Sequence, residues 1–306
     1  MASNQGNRLS PYATPSATRE VLERHGLYTK YALGQNFLVN DDVIRKIVQL
    51  ADVQSRDHVL EVGPGIGTLT AALLQNASHV TAIEMDRDLP AVLADTLAPW
   101  ANRFTLLSLD ALDVNASDLD QSAQGLSMPN KLVSNLPYAV AATVILDYLQ
   151  RFEFLDSMTV MVQKEVADRM MAKPGTKAYG AYTVKLSMFA LPKDRFPVAP
   201  GNFFPPPHVE STVIRLNRAC PATEDGQMLS SEEVRATCRM ADAAFATRRK
   251  TLANSCKTHF ASQPEIQALL PRVFETAGID PRRRGETLVR EEFIRLGLAL
   301  RDCGQV

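Results

Sequence analysis

Three glycines in the segment EVGPGIGTLT, residues 61–70, constrain the fold of this chain more than any other feature. The segment begins at the end of an apolar stretch that predicts a strand, His58–Val62, and it runs into a predicted helix at 68–75. Glycines at such a junction let the backbone turn tightly and approach a ligand closely. A strand, a glycine loop and a helix in this order indicate a nucleotide-binding α/β sheet.

The spacing of the glycines distinguishes between ligands. A dinucleotide-binding loop reads GxGxxG, whereas Gly63, Gly65 and Gly67 give GxGxG. No lysine follows the glycines, so the loop is not of the Walker A phosphate-binding type. The spacing therefore favours S-adenosylmethionine over a nicotinamide dinucleotide.

Acidic residues end the next two predicted strands. Glu84 lies 21 positions after Gly63 and ends the predicted strand 80–84, and Asp110 follows the extended segment 104–109. A carboxylate at the first position would accept hydrogen bonds from both ribose hydroxyls. A carboxylate at the second would accept one from an adenine amino group. Ligands of parallel sheets bind at the carboxyl ends of the strands, so the pattern predicts an adenosine-type ligand. The alternative is a turn and two strand ends without a ligand.

The rest of the pattern extends the alternation of strands and helices. It predicts helices at 18–25, after Asn40 and at 89–97, and strands at 131–134, 157–162 and 209–216. This alternation predicts an α/β, Rossmann-like fold with a mostly parallel sheet. Residues 217–231 are polar, and the pattern beyond them is helical. We therefore predict a disordered extension at 1–17, a Rossmann-like domain at 18–218 and a small α-helical domain at 219–306.

Composition excludes several classes of protein. No apolar run approaches the roughly 20 residues of a membrane-spanning helix, and the four cysteines form no CxxC pair, so the sequence predicts no metal site. Scattered cysteines and the lack of a secretory signal pattern favour a cytoplasmic protein. A faint likeness of the first 19 residues to a mitochondrial transit peptide is the weaker alternative.

Basic residues cluster locally although the net charge of the chain is −1. The stretch 245–257 has no acidic residue and contains Arg248, Arg249, Lys250 and Lys257, and a second cluster is 282–284. Such patches bind phosphate even on a neutral protein. Charge alone favours two solvated helix faces.

The fourth predicted strand of the alternating region ends in Asn135, Leu136, Pro137 and Tyr138. An adenine amino group is a poor nucleophile because its lone pair is delocalised into the ring. The Asn135 carboxamide oxygen and the Leu136 carbonyl would accept its two protons, while Pro137 fixes the local backbone. The Tyr138 ring would stack on the base, which contributes about 1–3 kcal/mol. Joined to the glycine loop, this motif predicts methyl transfer to an amino group of a planar base.

The motifs, in their order, resemble the small-subunit ribosomal RNA adenine dimethyltransferase family of the KsgA type. They are GQNFL (34–38), EVGPGIGTLT, Glu84, Asp110, NLPY (135–138), QKEVADRM (163–170), KAYG (177–180), FFPPPHVES (203–211), FATRRKTL (245–252) and GIDPRRRGETL (278–288). The resemblance covers nearly everything from about residue 18 onward. It implies a Rossmann-like class I methyltransferase domain and a small C-terminal α-helical RNA-binding domain.

The resemblance also implies an activity. It is the S-adenosylmethionine-dependent dimethylation of two adjacent adenosines in the loop of the 3′-terminal helix of small-subunit rRNA. The partner would be this rRNA or the pre-30S particle in ribosome biogenesis. We expect a monomer that binds neither a membrane nor a metal ion.

Roles for individual residues follow from the same resemblance. The residues implied to bind the cofactor are Gln35, Asn36, Leu38, Gly63, Gly65, Glu84, Asp110 and Asn135. The first three would close over the cofactor, the two glycines would face its methionine part, and the two acids would hold its ribose and adenine.

The implied catalytic residues surround the target base, and the implied RNA contacts are Arg248, Arg249 and Lys250. Asn135 and the Leu136 carbonyl would engage the amino group, and Tyr138 and Phe203 would sandwich the base. Without the resemblance, Phe203 would be interpreted as a core aromatic residue. The family commonly has Asn after NLPY, whereas this chain has Ala139, a departure that would weaken a hydrogen bond that shapes the loop.

Two alternative functions remain open from the sequence. One is a large-subunit adenine methyltransferase of the macrolide-resistance type, against which the FATRRKTL segment argues. The other is a non-catalytic ribosome-assembly or nucleic-acid-binding factor. Glu84, Asp110 and Asn135 are intact, which favours retained catalysis.

Overall fold

The computed structural model describes residues 8–29, 35–123 and 125–304. The chain divides into two compact units, Met1–Ala167 with Pro192–Arg218, and Asp168–Leu191 with Ala219–Val306. The predicted domain 18–218 differs from the first unit because residues 168–191 belong to the second. The reason lies in packing: Tyr179 and Val184 join the helical core of the second unit.

A seven-stranded sheet organises the first unit. Within the described ranges the strands are β1 (Phe37–Leu38), β2 (His58–Val62), β3 (His79–Ile83), β4 (Phe104–Leu107), β5 (Lys131–Asn135), β6 (Ser157–Gln163), β7 (Ala190–Val198), β8 (Phe203–Phe204) and β9 (Ser211–Arg218). The order in the large sheet is β4-β3-β2-β5-β6-β9-β7, and β1 and β8 form a separate pair. Strands β2 to β6 are parallel and β9 is antiparallel to β6. The predicted mostly parallel sheet is confirmed.

Helices flank this sheet and form the second unit. In the described ranges they are α1 (Pro15–Arg24), α2 (Asp41–Ala51), α3 (Thr68–Leu74), α4 (Leu89–Thr96), α5 (Ala116–Ala123), α6 (Ala141–Arg151), α7 (Lys164–Met170), α8 (Ala181–Ser187), α9 (Ser231–Phe245), α10 (Leu252–His259), α11 (Pro264–Ala277) and α12 (Arg290–Asp302). The predicted cap at Asn40 is confirmed, because its side chain accepts hydrogen bonds from the backbone of α2. No described helix is long and apolar enough to cross a membrane.

The prediction of disorder at 1–17 is wrong for residues 8–17, and residues 1–7 lie outside the described ranges. Ser10 and Ala13 are buried, and the Tyr12 hydroxyl donates to the Thr96 carbonyl at 2.7 Å. Thr14 caps α1, whose first residue is Pro15. Polar composition suggested disorder, but the apolar side chains of this stretch pack on the core.

Two buried histidines on neighbouring strands make the stability of the first unit depend on pH. The rings of His58 and His79 lie edge to face at 4.9 Å. Burial lowers the pKa of both, that of His79 to about 4. Protonation therefore favours the unfolded chain, whose imidazoles titrate near 6.5.

We expect the free energy of unfolding to be unaffected by these histidines above pH 6.5 and to fall as the pH drops from about 6.5 toward 4. Urea unfolding at several pH values measures this. His79→Gln, which stays neutral and can still bond Thr105, should flatten the dependence. An equal slope in that variant would contradict the assignment.

Close packing of α9 on α12 in the second unit depends on a glycine. A Cβ atom at Gly297 would lie 2.6 Å from the backbone of Thr237. We expect Gly297→Ala to lower the free energy of unfolding by about 1–3 kcal/mol, because neither backbone can yield. Chemical denaturation tests this, with Gly180→Ala as the control, since a Cβ atom there meets nothing within 4 Å.

Candidate active site

A cavity of about 690 Å³ lies at the carboxyl ends of the parallel strands. Strand β2 pairs with β3 on one side and with β5 on the other, so the order of the strands across the sheet changes direction at β2. Open α/β sheets bind ligands at such a switch point. The volume is in the usual range for a cofactor or other small molecule.

The glycine loop forms one wall of the cavity. Gly63, Gly65 and Gly67 have φ angles of 71°, 60° and 84°, which is the left-handed region that favours glycine. Gly63 and Gly65 line the cavity. A Cβ atom on Gly65 would lie 3.0 Å from the Phe37 ring, and one on Gly67 would lie 3.1 Å from Leu97. Gly63 and Gly65 therefore belong to the cavity wall, where a side chain on Gly65 would meet Phe37, whereas Gly67 packs against Leu97.

Both acids predicted from the strand ends reach the cavity. Glu84 is only 8% exposed, and its Oε1 accepts a hydrogen bond from the Asp86 backbone at 2.9 Å. Burial raises the pKa of Glu84. Asp110 is half-buried, and its Oδ1 accepts from the Leu112 backbone at 3.0 Å.

The sequence interpretation missed a third acid, Glu61, which also lines the cavity. It is 1% exposed, and among the described residues its Oε2 has no hydrogen-bond partner. Burial, with a smaller contribution from the Glu84 charge, raises the pKa of Glu61 to about 8. Its position as the first residue of the glycine segment was the available signal.

The charge of the lining fits a cationic ligand. Glu61, Glu84 and Asp110 are its acids, and no lysine or arginine is among the described residues that line the cavity. A dinucleotide would bring a diphosphate against these acids, whereas a cationic ligand favours the ionised form of Glu61, whose pKa burial raises to about 8. A sulfonium with an amino-acid tail and a ribose matches both the charge and the acceptors, so the residues present fit S-adenosylmethionine.

The segment 35–38 covers part of the cavity. Gln35, Asn36 and Leu38 line it, as predicted for residues that close over a cofactor. Strand β1, in this segment, pairs with β8 through Leu38 and Phe203. The Gln35 amide donates to Asp86 Oδ2 at 2.8 Å.

The end of β5 brings Asn135, Leu136 and Tyr138 to the same cavity. The Asn135 Nδ2 donates to the Asn36 carbonyl at 3.1 Å. A carbonyl only accepts hydrogen bonds, so this contact fixes the orientation of the amide and leaves Oδ1 as the acceptor. The Tyr138 hydroxyl lies 2.6 Å from Ser211 Oγ, and burial raises the pKa of Tyr138, so the hydroxyl keeps its proton.

Phe203 does not join this group. Its side chain is 2% exposed, belongs to the main hydrophobic core and is absent from the cavity lining. The predicted sandwich of a base between Tyr138 and Phe203 is therefore not supported by this geometry. The interpretation of Phe203 as a core aromatic residue fits it better.

Ala139 is exposed at the rim of the cavity, where the family commonly has Asn. The backbone itself closes the turn: the Pro137 carbonyl accepts from the N–H groups of Val140 and Ala141 at 3.2 and 3.1 Å. The loop therefore keeps its shape without a side-chain hydrogen bond at 139.

In the second unit, the predicted basic triad lies between α9 and α10. Arg248 already has partners within the protein: it forms an ion pair with Glu286 at 3.3 Å and donates a hydrogen bond to the Thr176 carbonyl. Arg249 and Lys250 are exposed, and neither has an ion-pair partner among the described residues.

Comparison with known proteins gives close relatives. The sequence model of the family described as ribosomal RNA adenine dimethylase matches residues 27–295. The chain is 41% identical to ribosomal RNA small subunit methyltransferase A of Enterococcus faecalis, over 94% of this chain and 96% of that one. It is 38% identical to the protein of the same name from Bifidobacterium longum, over 94% and 92% of the two chains.

Solved structures share the fold. A dimethyladenosine transferase from Plasmodium falciparum has a TM-score of 0.71 at 22% identity, over 88% of this chain and 98% of that one. The 23S rRNA methyltransferase ErmE has a TM-score of 0.60 at 22% identity, over 87% and 100% of the chains. The predicted fold, a Rossmann-like class I methyltransferase domain with a helical part, is confirmed. The chain belongs to the ribosomal RNA adenine dimethylase family and is an S-adenosylmethionine-dependent methyltransferase of ribosomal RNA adenine.

Proposed function

We propose that this enzyme dimethylates the N6 amino groups of two adjacent adenosines in the 3′-terminal helix loop of small-subunit rRNA. The observation that carries the proposal is the fixed amide of Asn135, a residue that lines the cavity together with three acids and whose Oδ1 has no hydrogen-bond donor among the described residues. The curated relatives at 38–41% identity are named as small-subunit methyltransferases, which favours this subunit as the target.

The residues that would hold the cofactor have distinct tasks. Gly63 and Gly65 leave space for the methionine part, Glu84 accepts from the ribose hydroxyls, and Asp110 accepts from the adenine amino group. Gln35 lies in the covering segment, which limits access of water. When bound, S-adenosylmethionine supplies an electrophilic methyl group on its sulfonium.

The protein's own groups would prepare the target base. Asn135 Oδ1 and the Leu136 carbonyl accept the two amino protons, which shifts the nitrogen toward a pyramidal geometry and frees its lone pair. The Tyr138 ring supports the base by stacking. Positioning of this kind is the main requirement of a direct displacement. The proton released from nitrogen passes to water.

The partner would be small-subunit rRNA, free or in the pre-30S particle, bound in the cytoplasm by a monomer. A base in a hairpin must leave its stack to reach the cavity, which costs a few kcal/mol. Phosphate contacts by Arg248, Arg249 and Lys250 in the helical unit would offset this cost.

We expect binding to small-subunit particles to weaken steeply with salt. The double variant Arg249→Gln/Lys250→Gln removes two phosphate contacts. The plot of the logarithm of the association constant against log[salt] should therefore become less steep by about 1–2. Filter binding at several salt concentrations measures the slope. Lys46→Gln/Arg56→Gln removes the same charge from exposed positions of the first unit and should leave it unchanged. Equal slopes for the two variants would count against the basic triad.

The proposed function is tested by giving labelled cofactor and purified protein to unmethylated small subunits, large subunits and free RNAs. We expect dimethylation of two adjacent adenosines of small-subunit RNA. Label in large-subunit RNA would instead assign the macrolide-resistance type of activity. RNA binding without transfer would assign a non-catalytic factor.

A further inference from the structure

Asp86 lies two residues after Glu84 and is 6% exposed, yet it is not among the residues that line the cavity. Its backbone N–H donates to Glu84 Oε1 at 2.9 Å. Its Oδ2 accepts from the Gln35 side chain at 2.8 Å, and its Oδ1 accepts from the Asp88 backbone at 3.1 Å. One residue thus contacts both a cavity acid and the covering segment.

Three contacts between described residues help to hold the covering segment, residues 35–38. Leu38 is paired with β8, and the Asn36 carbonyl accepts from Asn135. Gln35, at the other end, is held by the carboxylate of Asp86. A hydrogen bond to a charged acceptor is stronger than one between neutral groups, so this contact is suited to fix the end of the segment.

We propose that Asp86 is a positioning residue that couples the carboxylate of Glu84 to the covering segment through Gln35. The inference rests on the proposed cofactor site. Asp86 orients the Glu84 oxygen with its backbone and the segment with its side chain, so a displacement of either one is passed to the other. Cofactor affinity then depends on a contact that the cofactor does not touch.

If Asp86 only stabilised the fold, its variants would behave differently. Asp86 also lies three residues before the start of α4, and its carbonyl accepts from the backbone N–H of Leu89, the first residue of that helix, at 3.2 Å. If stabilising this helix start were its whole role, removing the carboxylate would lower thermal stability and leave cofactor affinity unchanged. Exchanging groups with Gln35 would then restore nothing.

The test is an exchange of hydrogen-bonding groups. Gln35→Glu places two carboxylates together, and Asp86→Asn removes the charged acceptor. The double variant has the same net charge as the natural protein and restores one N–H to carboxylate contact with reversed polarity. Calorimetry with S-adenosylmethionine and with S-adenosylhomocysteine gives the dissociation constants. We expect each single variant to bind about tenfold or more weakly, and the double variant to recover to within about threefold.

Asp95→Asn removes an exposed carboxylate of α4; this variant is the control and should bind both ligands normally. Unchanged affinity in the singles, or a double variant no better than Gln35→Glu, would overturn the coupling. If Asp86→Asn fails to fold, the comparison of Gln35→Glu with the double variant still decides. Failure of the natural protein to bind either ligand would overturn the proposed cofactor site instead.

Discussion

Asn135→Ala is expected to slow methyl transfer by about 10²–10³-fold, the effect of removing one well-placed polar group from a reaction centre. The free Oδ1 of Asn135 is the side-chain acceptor for the target amino group, and alanine offers none. The cofactor would still meet Glu84, Asp110 and the glycine loop, so its dissociation constant should change by less than about tenfold. Single-turnover transfer to small subunits and calorimetry with the cofactor measure the two quantities separately.

Ala139→Asn, in the same loop, is the control variant for this experiment. It introduces the residue common in the family, but the turn is already closed by the Pro137 carbonyl. We expect its transfer rate to stay within about threefold of the natural protein. Full activity in Asn135→Ala would refute the role of the amide.

Glu84→Ala should weaken cofactor binding by about 100-fold or more. Two ribose hydroxyls would lose a charged acceptor, and each such hydrogen bond contributes about 1.5–3 kcal/mol. Because Glu84 is buried and also accepts from the Asp86 backbone, thermal unfolding must be followed in parallel. Glu20→Ala, at an exposed site on α1, is the control. A folded Glu84→Ala variant with normal affinity would exclude the ribose role.

Much of the first unit could be predicted from the sequence because its central strands, such as β2 and β3, are short and buried on both faces. Strand β2 was predicted with its observed bounds, since all five of its residues are buried between helices. Strand β7 was missed. It is an edge strand, and its exposed Lys193, Asp194 and Arg195 break the apolar pattern.

The candidate site was predictable where strand ends determine it. Gly63, Glu84 and Asp110 meet because parallel strands present their carboxyl ends on one edge. The core position of Phe203 could not be predicted, because the sequence does not tell which of two adjacent aromatic residues in β8 faces the core. Arg248 was taken as free for RNA, but its partner Glu286 is 38 residues away, which no local pattern indicates.

The buried acids of the cavity have a consequence for turnover. Burial raises the pKa of Glu61 and Glu84, and no lysine or arginine is among the described residues of the lining, so a positively charged ligand favours their ionised forms. Methyl transfer converts a sulfonium into a neutral thioether and removes one positive charge from the ligand. The acids of the cavity therefore attract S-adenosylhomocysteine less strongly than S-adenosylmethionine. The carboxylates that favour uptake therefore also favour exchange, which must happen for every methyl group that a doubly modified base receives.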